Sequence, residues 1–440
     1  MIIRKGWIIP GDGAGSFEGD IRVSDGRIVE IAAHVAHRGE GEDEIDARGC
    51  VVIPGFVQAH SELSRSLFRG MSKPVDALTA AASSRWPQVE GLGEDERETS
   101  YRIGFHELID NGVTCVLDAG VSHGVDLLFR EAAACGIRFF GGLSMLDLDR
   151  TGRLDPALIK SRDECEALSK ELAESFHESE SGRLRYAAAP RFTLGCSDEL
   201  LRSVSDLVCV NDWVLHLVAS ETESEEALVR EHTKRSNVDY LSDMGVLGSQ
   251  TILVHASRLG DEERNLLYGT GTHLGHCPSH SLAIGTGVAA APELLDYGIN
   301  LAFGVGAASR SSFLDELRLT GTLHNARLGN RGWPAEQRFD VATVGGAKAL
   351  GIDDEVGTLE VGKKADIVIA TLAADIRVAN GGSLISTLVD ACGPEQIRDV
   401  FVDGRALKRD YEVQTIDAAE TLSRAQESWE RLMKERSETA

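Results

Sequence analysis

The sequence predicts an α/β fold, a (β/α)8 TIM-like barrel joined to a small β-sandwich domain built from both chain ends. Two observations carry this. Between Val51 and Leu350, eight short apolar runs alternate with longer amphipathic segments. On either side of that stretch the texture changes to short strands punctuated by turns.

At the N-terminal end, Ile2-Ile3, Trp7-Ile8-Ile9, Ile21-Arg22-Val23 and Ile28–Ile31 read as strands. Gly11-Asp12-Gly13, Gly19-Asp20 and Asp25-Gly26 break them with hairpin chemistry. The barrel strands are expected at Val51–Gln58, Thr114–Asp118, Arg138–Gly142, Arg185–Ala189, Trp213–Val218, Thr251–His255, His273–His276 and Asn300–Gly304. Helices are expected at Glu94–Asn111, Val125–Cys135, Arg162–Glu178, Asp198–Val210, Ser224–Lys234 and Asp261–Tyr268, from their apolar periodicity. After Leu350, Gly357–Gly362, Ala365–Ile369 and Val400–Arg405 return to strand and turn. The expected organisation is a composite β domain from 1–53 and 351–415, a barrel over 54–350, and a C-terminal helix within 416–440. Barrels of this kind place their chemistry at the C-terminal ends of the strands.

Composition narrows the partners. Against 45 lysines and arginines stand 70 aspartates and glutamates, a formal charge of −25 over 440 residues. Such an excess repels phosphate backbones and anionic bilayers, so nucleic acid and membrane are not expected partners. No apolar run reaches the roughly 20 residues that a membrane helix requires. The eight cysteines form no CxxC pair and mostly sit in apolar runs, as buried thiols of a reducing compartment do. The N-terminus lacks the layout of a signal peptide, and a cytoplasmic location is expected.

Several segments then fall in a recognisable order. Pro54-Gly55-Phe56-Val57 leads into His60, followed by Leu67-Phe68-Arg69-Gly70. Further along come His276-Cys277-Pro278-Ser279, Gly345–Gly351, Gly357–Asp366 and Val402-Asp403-Gly404-Arg405. Together they resemble the amidohydrolase superfamily, in its branch of cytosine/guanine-deaminase-like and triazine-chlorohydrolase-like enzymes. The resemblance implies a hydrolase that attacks an electron-poor carbon of a small nitrogen heterocycle, through deamination, dechlorination or related cleavage. It also implies a homodimer or higher homo-oligomer, and a zinc or iron ion that activates water. The family binds that ion through an HxH pair on the first strand, histidines on strands five and six, and an aspartate on strand eight.

This chain departs from that pattern. His60 and His255 match two of the histidines. Glu62 stands at the second HxH position, Val218 at the strand-five ligand, and Gly306 at the aspartate. Valine and glycine have no side-chain donor, so a degenerate, metal-independent site is expected. The alternative is a rearranged metal set of His60, Glu62 and His255, and a third reading is a non-catalytic small-molecule-binding or regulatory relative. In the first reading Glu221, which matches the family's proton-transferring carboxylate, and Glu62 act as acid and base. His60 and His255 then orient substrate or water. Arg191, His216, His280, His123 and Ser309 are expected substrate contacts near the strand ends. His276, Arg65, Arg69 and Arg310 are further candidates, each also readable as a surface or structural residue.

Overall fold

The computed structural model describes residues 1–11, 13, 15–37, 42–69, 89, 91–306, 312–329, 332–372 and 383–439. The N-terminal strands are β1 (Ile2–Ile8), β2 (Phe17–Ser24), β3 (Arg27–Ala32), β4 (Glu44–Asp46) and β5 (Cys50–Pro54). The barrel follows with β6 (Phe56–Ser61), β7 (Val113–Asp118), β8 (Arg138–Gly141), β9 (Ser144–Met145) and β10 (Leu184–Pro190). It continues with β11 (Val214–Ala219), β12 (Thr251–His255), β13 (His273–His276) and β14 (Leu301–Phe303). The chain then returns to the first sheet with β15 (Ile367–Thr371), β16 (Ile397–Val402), β17 (Arg405–Arg409) and β18 (Glu412–Val413).

Two sheets result. One runs β18-β17-β16-β15-β5-β1-β2-β3, with β4 beside β1, so both chain ends share it. It is mixed: β15 is antiparallel to β5, whereas β1 is parallel to β5. The other runs β14-β13-β12-β11-β10-β8-β7-β6 in parallel, and short β9 extends β8's place beside β10. The Val305 amide donates to the His60 carbonyl at 3.0 Å and links the β14 end to the β6 end, completing the barrel. Helices Glu94–Asp110, Val125–Cys135, Arg162–Phe176, Asp198–Asn211, Glu223–Thr233 and Asp261–Thr270 lie between strands, where periodicity predicts them. No helix among the described residues is long and apolar enough to cross a membrane. All the cysteines but Cys209 are buried.

The strand expected over Val51–Gln58 is in fact two. Cys50–Pro54 pairs with β1 and β15, whereas Phe56–Ser61 pairs with β7. Gly55 is the pivot between the sheets. A Cβ there would collide with the Thr114 side chain, so only glycine lets the chain cross so closely. The Gly55 amide donates to the Asp366 carbonyl at 3.0 Å. Asp366 also receives buried Arg138 at 3.0 and 3.1 Å, and Arg138 reaches Asp403 at 2.6 Å. This ion cluster ties the start of β8 to the composite sheet.

Candidate active site

The C-terminal ends of the barrel strands carry the candidate residues, and the backbone there departs from regular strand. Side chains alternate between the two faces of a strand. Val57 and Ala59 belong to the apolar cluster inside the barrel, and Phe56 to the cluster outside it. Strict alternation would therefore turn His60 outward. A bulge intervenes, since β6 spends Gln58 to Ser61 where β7 spends only Val116 to Asp118. The extra residue re-aims His60 inward. On β12, Val254 faces the interior, and His255 follows it with φ at +72°. That left-handed residue, uncommon outside glycine, swings the imidazole back over the barrel mouth. Ser220 and Ala256 beside it also have positive φ, at 53° and 37°. Strained backbone of this kind clusters at functional sites.

Four imidazoles and one carboxylate meet there. His60 Nδ1 and His216 Nε2 share a hydrogen bond of 3.0 Å, with their rings stacked at 5.1 Å between centroids. The His255 ring stands edge-on to His60 at 5.6 Å and stacks on His280 at 4.9 Å. His280 Nε2 lies 3.0 Å from Glu221 Oε1, and His255 Nε2 lies 3.7 Å from the same oxygen. His255 and His280 are each only 4% exposed. Burial, and then neighbouring histidines and Arg191, depress the His60 pKa well below its ordinary value. Burial and the charge of Arg191 bring His216 to about 3. Burial brings His255 to about 4, against the opposing pull of Glu221. These three rings are neutral at neutral pH.

Glu62 belongs to a different group. Beyond the end of β6, its carboxylate takes Arg65 Nη1 at 3.0 Å on one oxygen and Arg191 Nη2 on the other. Burial alone would raise its pKa, but the two arginines hold it well below the usual carboxylate range. Arg191 also donates to the Ala119 carbonyl at 3.4 Å. Glu62, Arg65 and Arg191 line a narrow cleft with Val89, Val121, Ser122, Ser144 and Leu146.

Glu221 thus stands among the imidazoles, whereas Glu62 is held as an arginine-bound anion. The proposed metal set of His60, Glu62 and His255 also does not assemble. His60 Nδ1 is committed to His216, and both Glu62 oxygens to arginines. Among the described residues, the group of donors drawn within 4.8 Å of one another is Glu221, His255 and His280. Of the expected substrate contacts, His280 and His216 join the imidazole file, and Arg191 joins the cleft. His123 is exposed on the loop after β7. Ser309 and Arg310 lie outside the described residues.

Three carboxylates escaped the sequence reading. Asp118 accepts the amides of Leu63 and Gly120 at 2.8 and 3.0 Å and pins the turn that carries Glu62. Burial raises its pKa to about 7. Glu225 accepts the Glu221 amide at 2.8 Å and Asn237 Nδ2 at 2.9 Å, fixing the backbone under Glu221. Glu316 accepts the Ser279 amide at 2.9 Å and anchors the segment that carries His280. Asp118 could have been found as a carboxylate ending a barrel strand, and Glu225 as the third helical residue after the Thr222 cap. Glu316 has no local signal, because its partner lies on another element.

The chain's likeness to known proteins covers this whole arrangement. The Amidohydrolase family model matches residues 51–407. The chain belongs to the amidohydrolase family. This amidohydrolase is 30% identical over 410 residues to 5'-deoxyadenosine deaminase of Methanothermobacter thermautotrophicus, covering 92% of this chain and 93% of that one. It is 30% identical over 413 residues to 5-methylthioadenosine/S-adenosylhomocysteine deaminase of Halobacterium salinarum, covering 91% and 92%. In fold it matches an adenosine deaminase from Xanthomonas campestris solved with bound zinc, with a TM-score of 0.89 at 24% identity and 98% coverage of both chains. It also matches atrazine chlorohydrolase from Arthrobacter aurescens complexed with zinc, with a TM-score of 0.89 at 24% identity, covering 97% and 99%. The expectation of a metal-independent amidohydrolase thus finds no support among these relatives. At the family's usual ion position, however, the residues do not fit: Val218 offers no donor, Gly306 has no side chain, and Glu62 is held by arginines.

Proposed function

We propose that this amidohydrolase is a hydrolytic deaminase of an amino-substituted nitrogen heterocycle of purine type. The observation that carries the reading is Glu221, placed at the barrel mouth with one oxygen facing two buried imidazoles. Relatives that act as deaminases, aligned over nearly the whole chain, support the same class.

In this reading water adds to the ring carbon that bears the amino group. Glu221 takes a proton from that water and delivers it to the adjacent ring nitrogen. A second transfer through the same carboxylate protonates the amine. The carbon–nitrogen bond breaks, ammonia leaves, and a ring carbonyl remains. The Glu62–Arg191 pair supplies a polar wall that orients the rest of the substrate. A general acid–base group of this kind contributes about 10²–10⁴-fold.

The test is ammonia release, together with the ultraviolet change of the ring, over a panel of aminopurines, aminopyrimidines and adenine nucleosides. Turnover of at least one is expected, with Glu221→Gln lowering kcat by about 10²–10⁴-fold and KM changing little. Absence of ammonia across the panel, or full activity in Glu221→Gln, overturns the reading.

A further inference from the structure

We propose that Glu221, His255 and His280 form a divalent transition-metal site, displaced from the position the family uses. The proposal concerns ligation and stands apart from the deaminase reading.

The geometry comes first. One carboxylate oxygen and two imidazole nitrogens lie within 4.8 Å of one another. Glu221 Oε1 is 3.0 Å from His280 Nε2 and 3.7 Å from His255 Nε2. A tetrahedral ion bound at about 2.0–2.1 Å spaces its donors by about 3.3 Å. The two Glu221 separations straddle that value, and the three donors lie within 4.8 Å of one another. Two imidazoles and one carboxylate suit zinc, iron or manganese and leave positions open for water.

The hydrogen bonding points the same way. His255 is buried, and its ring has no hydrogen-bond partner among the described residues: Nδ1 is buried and unsatisfied, and Nε2 faces Glu221 from beyond bonding distance. A cation on Nε2 would give His255 the strong partner that Glu221, at 3.7 Å, does not supply.

The third observation explains the displacement. A Cβ on Gly306 would sit 2.5 Å from His280 Nδ1 and 2.7 Å from His280 Cβ. The missing side chain beyond the end of β14 and the arrival of His280 therefore belong together. The segment Pro278–Ile284 brings a new imidazole into the space left where the family places its aspartate. His60, whose Nδ1 is bonded to His216, stays outside the set.

The experiment uses the full chain, purified without chelators and without a histidine tag, with metal content measured by plasma mass spectrometry. After chelation, the protein is titrated with Co²⁺ and followed by its visible ligand-field bands and by thermal unfolding. The expected result is about one ion per chain, with a Co²⁺ spectrum and a raised Tm. His280→Asn and His280→Ala are expected to weaken Co²⁺ binding at least tenfold, and His60→Ala to leave it within about threefold. Two His280 variants guard against one failing to fold. Absence of any bound ion, or binding lost in His60→Ala but kept in either His280 variant, overturns the proposal. Neither readout depends on turnover, so metal without ammonia release rejects only the deaminase reading, and ammonia release without metal rejects only this one.

Discussion

His280 and a side chain on residue 306 exclude one another, because the imidazole fills the space directly over Gly306 Cα. Gly306 does not have positive φ, so space alone opposes a larger residue there. Gly306→Asp is expected to cost about 1–3 kcal/mol by overpacking. Adding His280→Ser is expected to recover most of it, a coupling of at least about 1 kcal/mol in urea unfolding. Strictly additive effects would mean that the two positions do not compete.

Glu62 is an anion fixed by two guanidinium groups. Glu62→Ala removes the carboxylate that both Arg65 and Arg191 bind, and a loss of about 2 kcal/mol or more is expected. Glu62→Gln tests its chemistry. If Glu62 moves no proton, the pH limbs of kcat stay where they are in Glu62→Gln. Loss of a limb in that variant would return Glu62 to the acid–base role.

Glu316 gives stability a defined pH dependence. Burial raises its pKa from 4.5 to about 7. Between those values the folded chain binds more protons than the unfolded one, so stability falls as pH rises. Glu316→Gln retains an oxygen to accept the Ser279 amide and does not titrate. The stability of the variant relative to wild type is expected to climb from pH 4.5 to pH 7 by on the order of 2–3 kcal/mol, then level off. A constant offset at pH 4.5, 6 and 8 in denaturant titrations would refute the assignment.

Arg138 locks the barrel to the composite sheet. Arg138→Leu leaves buried Asp366 without its cation, and about 3–5 kcal/mol is expected to be lost. Asp366→Asn in the same chain is expected to return part of it, because the residual charge is the larger share of the penalty. Thermal unfolding of the single and double variants distinguishes this from a simple packing loss, which the second change would not relieve.

Much of the fold was legible because its signals are local. Thr251–His255 and His273–His276 have the boundaries that their apolar runs and flanking turns predict. The reading of Val51–Gln58 as one strand failed because Gly55 passes the chain between sheets without breaking the apolar run. For the site, the sequence singled out Glu221 and His255, which lie together in the structure, but gave no sign of the arginines that hold Glu62. Glu62 is neutralised by Arg191, 129 residues away in the chain, and no spacing rule encodes that encounter.

By itself the sequence determined the order of strands and helices, and the absence of donors at Val218 and Gly306. Both follow from residue type and periodicity along a short stretch of chain. Only the tertiary structure decided which donors converge. His60 reaches the interior through a bulge, His255 through a left-handed backbone, and His280 through a space opened at Gly306, beyond the end of β14. Each of these depends on non-local packing and hydrogen bonding, which fix where a side chain points after the local pattern has placed its strand.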